Sequence, residues 1–176
     1  MARLPYLEAG ASAAVDELYA QIGRMGRPVL NFYKVLANQP PALGAFLEMS
    51  RYVRAGSSLD PGLRELAILA TAHELSQSYE LVHHSEAARQ AGVEAQKVTM
   101  VANGGSLELL TPPERCAVEF ARQAAQTRSC DDEKFRELQS LFSSSEIVDL
   151  VVTTAWYHLC AVILGSLRVE LEEATR

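Results

Sequence analysis

Glu80 and His84 stand four residues apart in Tyr79-Glu80-Leu81-Val82-His83-His84, so on a helix they share one face. A carboxylate beside an imidazole is proton-handling chemistry, because each group sets the other's basicity. Burial raises an unpaired carboxyl's pKa, and a neighbouring imidazolium lowers it. On its own the pair could be a solvated surface contact, worth a few tenths of a kcal/mol. Glu65 argues for more, since it interrupts the apolar run Leu63-Arg64-Glu65-Leu66-Ala67-Ile68-Leu69-Ala70. His83 lies off the Glu80/His84 stripe and belongs at the surface or at a contact between subunits. His73 reads equally as a hydrogen-bonded core histidine and as a pocket residue.

The elements that must position these groups are two helices within residues 63–92, joined at Ser76-Gln77-Ser78. Leu63, Leu66, Ala67 and Ala70 give the first helix an apolar side at helical spacing. Ser78 is the expected N-cap of the second helix and Gly92 its C′ stop. Ala87 and Ala91 are expected to continue the Glu80/His84 stripe as a small-residue seam. Counting levels from a turn at Gln77 places His84 beside Ala70, with His73 the nearer polar group. Glu65 then lies more than one helical turn away, so its contact with His84 calls for a steep crossing, a bridging water or a neighbouring subunit.

The rest of the chain is also helical. Helices are expected over Ser12 to Gly23, Val29 to Ala37 and Pro40 to about Tyr52, where prolines in a first turn cost little. Asp60-Pro61 opens the first hairpin helix with a cap and a proline at N1. Glu94 to Val101 is a short helix, and Thr111-Pro112-Pro113-Glu114 has the capping-box form for a helix to about Gln126. Asp131 to Phe142 and Glu146 to about Glu172 complete the set. No segment alternates as a strand does, so the fold class is all-α.

At 176 residues with 48% apolar content, the chain suits one domain. Its parts are 1–56 N-terminal helices, 57–103 the hairpin region and 104–176 the C-terminal helices. A formal charge of −6 and the absence of a basic stripe argue against nucleic acid and anionic membranes as partners. The apolar stretch from Ile147 to Leu167 is broken by Asp149, Thr153, Thr154, His158 and Gly165, and reads as a core helix rather than a membrane span. Cys116, Cys130 and Cys160 form no CxxC and no metal-ligand spacing; Cys116 and Cys160 fit buried thiols. An odd cysteine count without a leader pattern fits the cytoplasm. No HExxH, GxSxG or phosphate-binding loop is present, so no metal and no cofactor is expected.

Several motifs together resemble the carboxymuconolactone decarboxylase and alkylhydroperoxidase D superfamily. They are Arg64-Glu65 entering an apolar helix, Tyr79-Glu80 with His84, and residues 86–93 as Glu-Ala-Ala-Arg-Gln-Ala-Gly-Val. Gly26-Arg27-Pro28-Val29-Leu30-Asn31, Leu36-Ala37-Asn38-Gln39-Pro40 and Trp156-Tyr157-His158 add to them. The resemblance implies an all-helical alkylhydroperoxidase D-like bundle with a central hairpin, assembled as a homo-oligomer, trimer or hexamer. In the peroxidase branch a glutamate, a CxxC pair and a histidine form a proton relay. Glu65 matches that glutamate and His84 that histidine, whereas Gln77 and Glu80 occupy the cysteine positions. Without a thiolate there, peroxide has no nucleophile at this site and a sulfenic acid has no resolving partner. The decarboxylase-like branch fits better.

The expected activity is cofactor-independent acid–base chemistry on a small organic acid, lactone or enolisable carbonyl compound. His84 would be the proton shuttle, Glu80 the base or acid, and Glu65 would orient His84. Gln77 would donate to a substrate oxygen, aided by free N–H groups at the helix start. His73, Tyr79 and His158 are further substrate-binding candidates. The alternatives are an antioxidant using another thiol, Cys130 first, and a non-catalytic ligand-binding oligomer.

Overall fold

The computed structural model describes residues 1–172, and every regular element among them is a helix. These are α1 (Ala13–Arg24), α2 (Asn31–Leu36), α3 (Pro40–Arg51), a π-helical turn (Tyr52–Gly56), α4 (Pro61–Glu74), α5 (Ser78–Gln90), α6 (Ala95–Ala102), α7 (Pro112–Thr127), α8 (Asp132–Leu141) and α9 (Ser144–Leu167). Two compact units result: one is Met1–Gly56 with the chain from Ile163 onward, the other Ser57–Val162.

In the first unit Phe32, Tyr33 and Phe46 form an aromatic cluster, with the Phe32 and Phe46 rings 4.9 Å apart. Val15, Ile22, Leu43 and Leu47 are buried in the same unit. The α2 helix is shorter than expected, because Leu30 is extended at φ −74° and ψ 160° and helical geometry begins only at Asn31. The last helix also stops early, at Leu167 rather than near Glu172. Arg168 turns into the left-handed region at φ 52° and Val169 N–H closes back onto the Leu164 carbonyl. The tail that follows is pinned by Asn31, whose side-chain amide donates to the Glu170 carbonyl and whose N–H donates to Glu172. Long-range bonds therefore replace helical ones there.

The second unit is built on α4, which packs against α5, α6 and α7. Every residue from Gly62 to Ala72 is buried, so α4 is enclosed on all sides rather than along one stripe. Each leucine or isoleucine among them contributes about 1.5–3 kcal/mol by leaving water. The N-terminal signals act as the sequence suggests: Asp60 accepts from Leu63 N–H, Thr111 and Glu114 form a capping box, and Asp131 accepts from Lys134 N–H. Ser143 and Glu146 exchange bonds at the start of α9.

By length and mean hydropathy α9 is the one described helix that could cross a membrane. Half of its apolar window is buried inside the protein, and its buried Asp149 accepts from both the backbone N–H and the hydroxyl of Ser58 at 2.7 and 2.6 Å. It is a core helix of this fold.

Candidate functional site

The α4–α5 connection is tight: Ser76 adopts a left-handed φ of 54° and Gln77 N–H reaches the Ala72 carbonyl. Ser78 is not the cap of α5. It occupies the first helical position, Gln77 takes the cap position, and the Gln77 side chain makes no capping bond. At the other end Gly92, at φ +88°, is the stop, with Val93 N–H closing onto Ala88. The seam beside His84 passes through Ala88, fully buried, rather than through Ala87 and the exposed Ala91. Positions 80, 84 and 88 follow the i,i+4 row, and that row faces inward.

His84 is 1% exposed and lies between two carboxylates. Its Nδ1 is 2.6 Å from Glu65 Oε2 and its Nε2 is 3.2 Å from Glu80 Oε2. The Glu65–His84 contact is direct, within one chain and with no bridging group. Level counting underestimates it because it compares backbone heights only. A one-turn offset is about 5.4 Å, within the combined reach of a glutamate and a histidine side chain. The Tyr157 ring on α9 stands edge-on to the imidazole, centroids 4.8 Å apart at 86°. Arg64, 8% exposed, brings Nη2 to 3.6 Å from the other Glu65 oxygen, Oε1.

Burial pushes the His84 pKa down, but the charges and hydrogen bonds of Glu65 and Glu80 outweigh it and hold the imidazole above its ordinary range. With Nδ1–H donated to Glu65, the exchangeable position is Nε2, facing Glu80. Glu80 is the most exposed of the three at 7%, against 3% for Glu65. The array can therefore take or deliver a proton at Glu80, pass it to His84 and stabilise the resulting cation with Glu65.

The remaining candidates scatter. His73 faces the end of α6, its Nδ1 3.0 Å from the Ala102 carbonyl. A Cβ at Gly104 would lie 2.2 Å from its Nε2, so this histidine packs on a loop and is not gathered with His84. Tyr79 is buried with its ring against His83, centroids 4.6 Å apart, which makes His83 a half-buried packing residue rather than a free surface one. Gln77 is half-buried at the head of α5. His158 lines a different cavity, beside Cys130. Arg64 and Tyr157 were not among the candidates. A guanidinium inside the apolar α4 run and a tyrosine in the middle of the buried C-terminal helix were the available signals.

Among the described residues no group of three or more His, Cys, Asp or Glu is arranged to hold a metal ion. None of the three cysteines is in a disulfide. Cys116 is pushed up to about 11 by burial first and by Glu137. Burial, then Asp131 and Asp132, also raise the half-buried Cys130.

The sequence profile of the Carboxymuconolactone decarboxylase family matches residues 40–123, the span that holds α4, α5 and all three members of the array. That match, over a little under half of the chain, supports the carboxymuconolactone decarboxylase/AhpD-like superfamily. Solved structures share this superfamily's fold along nearly the whole length. A peroxidase-related protein from Silicibacter sp. TM1040 has a TM-score of 0.85 at 20% identity, with 98% of this chain and 92% of that one covered. The alkylhydroperoxidase AhpD core protein from Ralstonia eutropha JMP134 has a TM-score of 0.85 at 20% identity, covering 99% and 94%. The debrominase Bmp8, in complex with 2,3,4-tribromopyrrole, has a TM-score of 0.85 at 17% identity, covering 100% and 95%. No curated protein sequence matches. At these identities the superfamily's helical fold is what the relatives share with this chain.

Proposed function

We propose that this chain is a cofactor-independent acid–base enzyme of the decarboxylase-like kind, acting on a small organic acid, lactone or enolisable carbonyl compound. The observation that supports it is His84, buried between Glu65 and Glu80 in a superfamily member with no cysteine at position 77 or 80. Glu80 meets the substrate. As a carboxylate it takes a proton from carbon beside a carbonyl, and the C–H electron pair moves onto the carbonyl oxygen as an enolate. Returning that proton to a different carbon completes an isomerisation. For a β-keto acid the C–C electrons enter the ketone as carbon dioxide leaves, and protonated Glu80 then delivers its proton to the enolate carbon. His84 exchanges the proton with Glu80 through Nε2, and Glu65 holds Nδ1. Gln77, at the α5 cap position, is the proposed donor to the enolate oxygen. Positioned acid–base groups of this kind contribute about 10²–10⁴-fold.

The protein is proposed to work in the cytoplasm as a trimer or hexamer, which light scattering tests directly. The catalytic test is a panel of γ-lactones and β-keto acids assayed with wild type, Glu80→Gln and His84→Ala. Turnover of at least one panel member should vanish in both variants while Glu80→Gln keeps the wild-type mass. Full activity in both would remove these roles. Thiol peroxidase action through Cys130 is the weaker reading, because burial and two aspartates suppress its thiolate. Peroxide consumption that disappears in Cys130→Ser would restore it.

A further inference from the structure

A second cavity, about 440 Å³, opens between the end of α7 and the outer side of α9. Its walls are Phe120 and Ala124 on α7, Arg128 to Cys130 in the following loop, and Val151, Thr154, Ala155 and His158 on α9. None of these residues belongs to the Glu65–His84–Glu80 array. On α9 the cavity wall, centred on 151, 155 and 158, is turned by roughly 125° from Tyr157, which faces His84, at about 100° per residue. The volume lies in the usual range for small-molecule sites, about 300–1,000 Å³, with mostly apolar walls and a few polar groups.

Two polar side chains at the cavity, the half-buried His158 and the exposed Arg128, have no hydrogen bond or ion pair among the described residues. Thr154 is 3% exposed, and its Oγ1 is sealed from the cavity as well as from solvent and has no hydrogen bond. A helical threonine ordinarily returns its hydroxyl to the i−4 carbonyl, as Thr71 does to Ala67. His158 makes no hydrogen bond among the described residues, and burial together with the Arg128 charge lowers its pKa. Arg128 has no ion pair, and its left-handed φ of 63° carries the chain from α7 into the loop that forms the cavity rim. No carboxylate lines the cavity; the nearby Asp131 is engaged by Gln123 and by Lys134 N–H. An exposed guanidinium and a half-buried imidazole stand over an apolar floor. They match one ligand chemistry, an acceptor-bearing anion on an apolar body.

We propose that the α7–α9 cavity binds a small carboxylic acid with an aromatic or branched apolar body, as a site separate from the acid–base array. The body lies on Phe120, Ala124, Val151 and Ala155. The carboxylate takes the Arg128 guanidinium, with His158 N–H as a supporting donor. This does not depend on the acid–base reading. Phenylacetate and its uncharged amide, phenylacetamide, titrated calorimetrically into the full-length protein, test it. Phenylacetate should bind saturably and the amide about tenfold or more weakly, the range of a charge-assisted hydrogen bond. Arg128→Gln should bring the acid down to the level of the amide, Ala155→Trp should fill the cavity and abolish binding, and Glu80→Gln should leave binding unchanged. Absence of saturable phenylacetate binding overturns the proposal. So does binding indifferent to both Arg128→Gln and Ala155→Trp, or binding lost in Glu80→Gln. A fall in oligomer mass in Ala155→Trp with no acid binding by wild type would make this face a contact between copies, and the proposal fails.

Discussion

Two histidines in the same unit have opposite surroundings. His84 is sealed between carboxylates that engage both ring nitrogens and raise its pKa. His158 lines an open cavity, makes no hydrogen bond among the described residues, and is lowered by burial and by Arg128. An imidazole's protonation is therefore set by its neighbours more than by its depth. Around His84 the chain supplies its own counter-charges, so the site is equipped to move protons. Around His158 the charged neighbour is Arg128, of the same sign as an imidazolium, so a counter-charge there comes from solvent or from the proposed ligand.

The largest expected effect breaks the first site. Glu80→Gln keeps the shape but cannot accept a proton, and kcat on any turned-over substrate should fall by about 10²–10⁴-fold with little change in KM. Next comes stability. His84→Ala leaves two carboxylates buried without their shared partner and should cost about 3–5 kcal/mol, read from urea unfolding midpoints. Glu65→Gln separates charge from geometry: the hydrogen bond to Nδ1 survives, the negative charge does not, and the His84 pKa falls. The alkaline limb of the activity profile should then move to lower pH, and an unchanged profile would show that Glu65 does not govern His84.

A smaller effect follows from linkage. The folded-state pKa of His84 lies above its unfolded value of about 6.5. Its contribution to stability is therefore complete below that pH and is lost as pH rises through the folded-state value. Melting curves at increasing pH should show the wild-type advantage over His84→Ala shrinking on the alkaline side. The smallest effect sharpens the comparison from the other side. Thr154→Val removes a buried hydroxyl that has no partner, so stability should hold or rise by up to about 1 kcal/mol, with acid binding unchanged. A loss as large as that of His84→Ala would show that the two sites are not different in kind.

Much of this was open to the sequence because it rests on local chemistry. Cap residues at Asp60, Thr111 and Asp131 act within a few bonds of themselves, so the helices they start could be placed. The i,i+4 spacing of Glu80 and His84 fixes their shared face whatever packs on it. The Gln77 and Glu80 substitutions at the cysteine positions needed no coordinates at all. Errors arose where a distant partner decided the outcome. Residues 168–172 leave the helix because Asn31 and Tyr6 bind that backbone. His73 turns to α6 because a loop presents a carbonyl and a glycine to it.

Residue types and their order along the chain thus determined the helical class, carried the resemblance to the superfamily and singled out Glu65, Glu80 and His84 as candidates, since periodicity, capping and motif spacing are local. Only the tertiary structure decided that Glu65 reaches His84 directly, that Tyr157 and Arg64 close around them, and that His158 serves another cavity. Those contacts span 19 or more residues for Glu65–His84 and far more for Tyr157–His84. They depend on how helices cross and how far side chains extend, which spacing along one helix cannot encode.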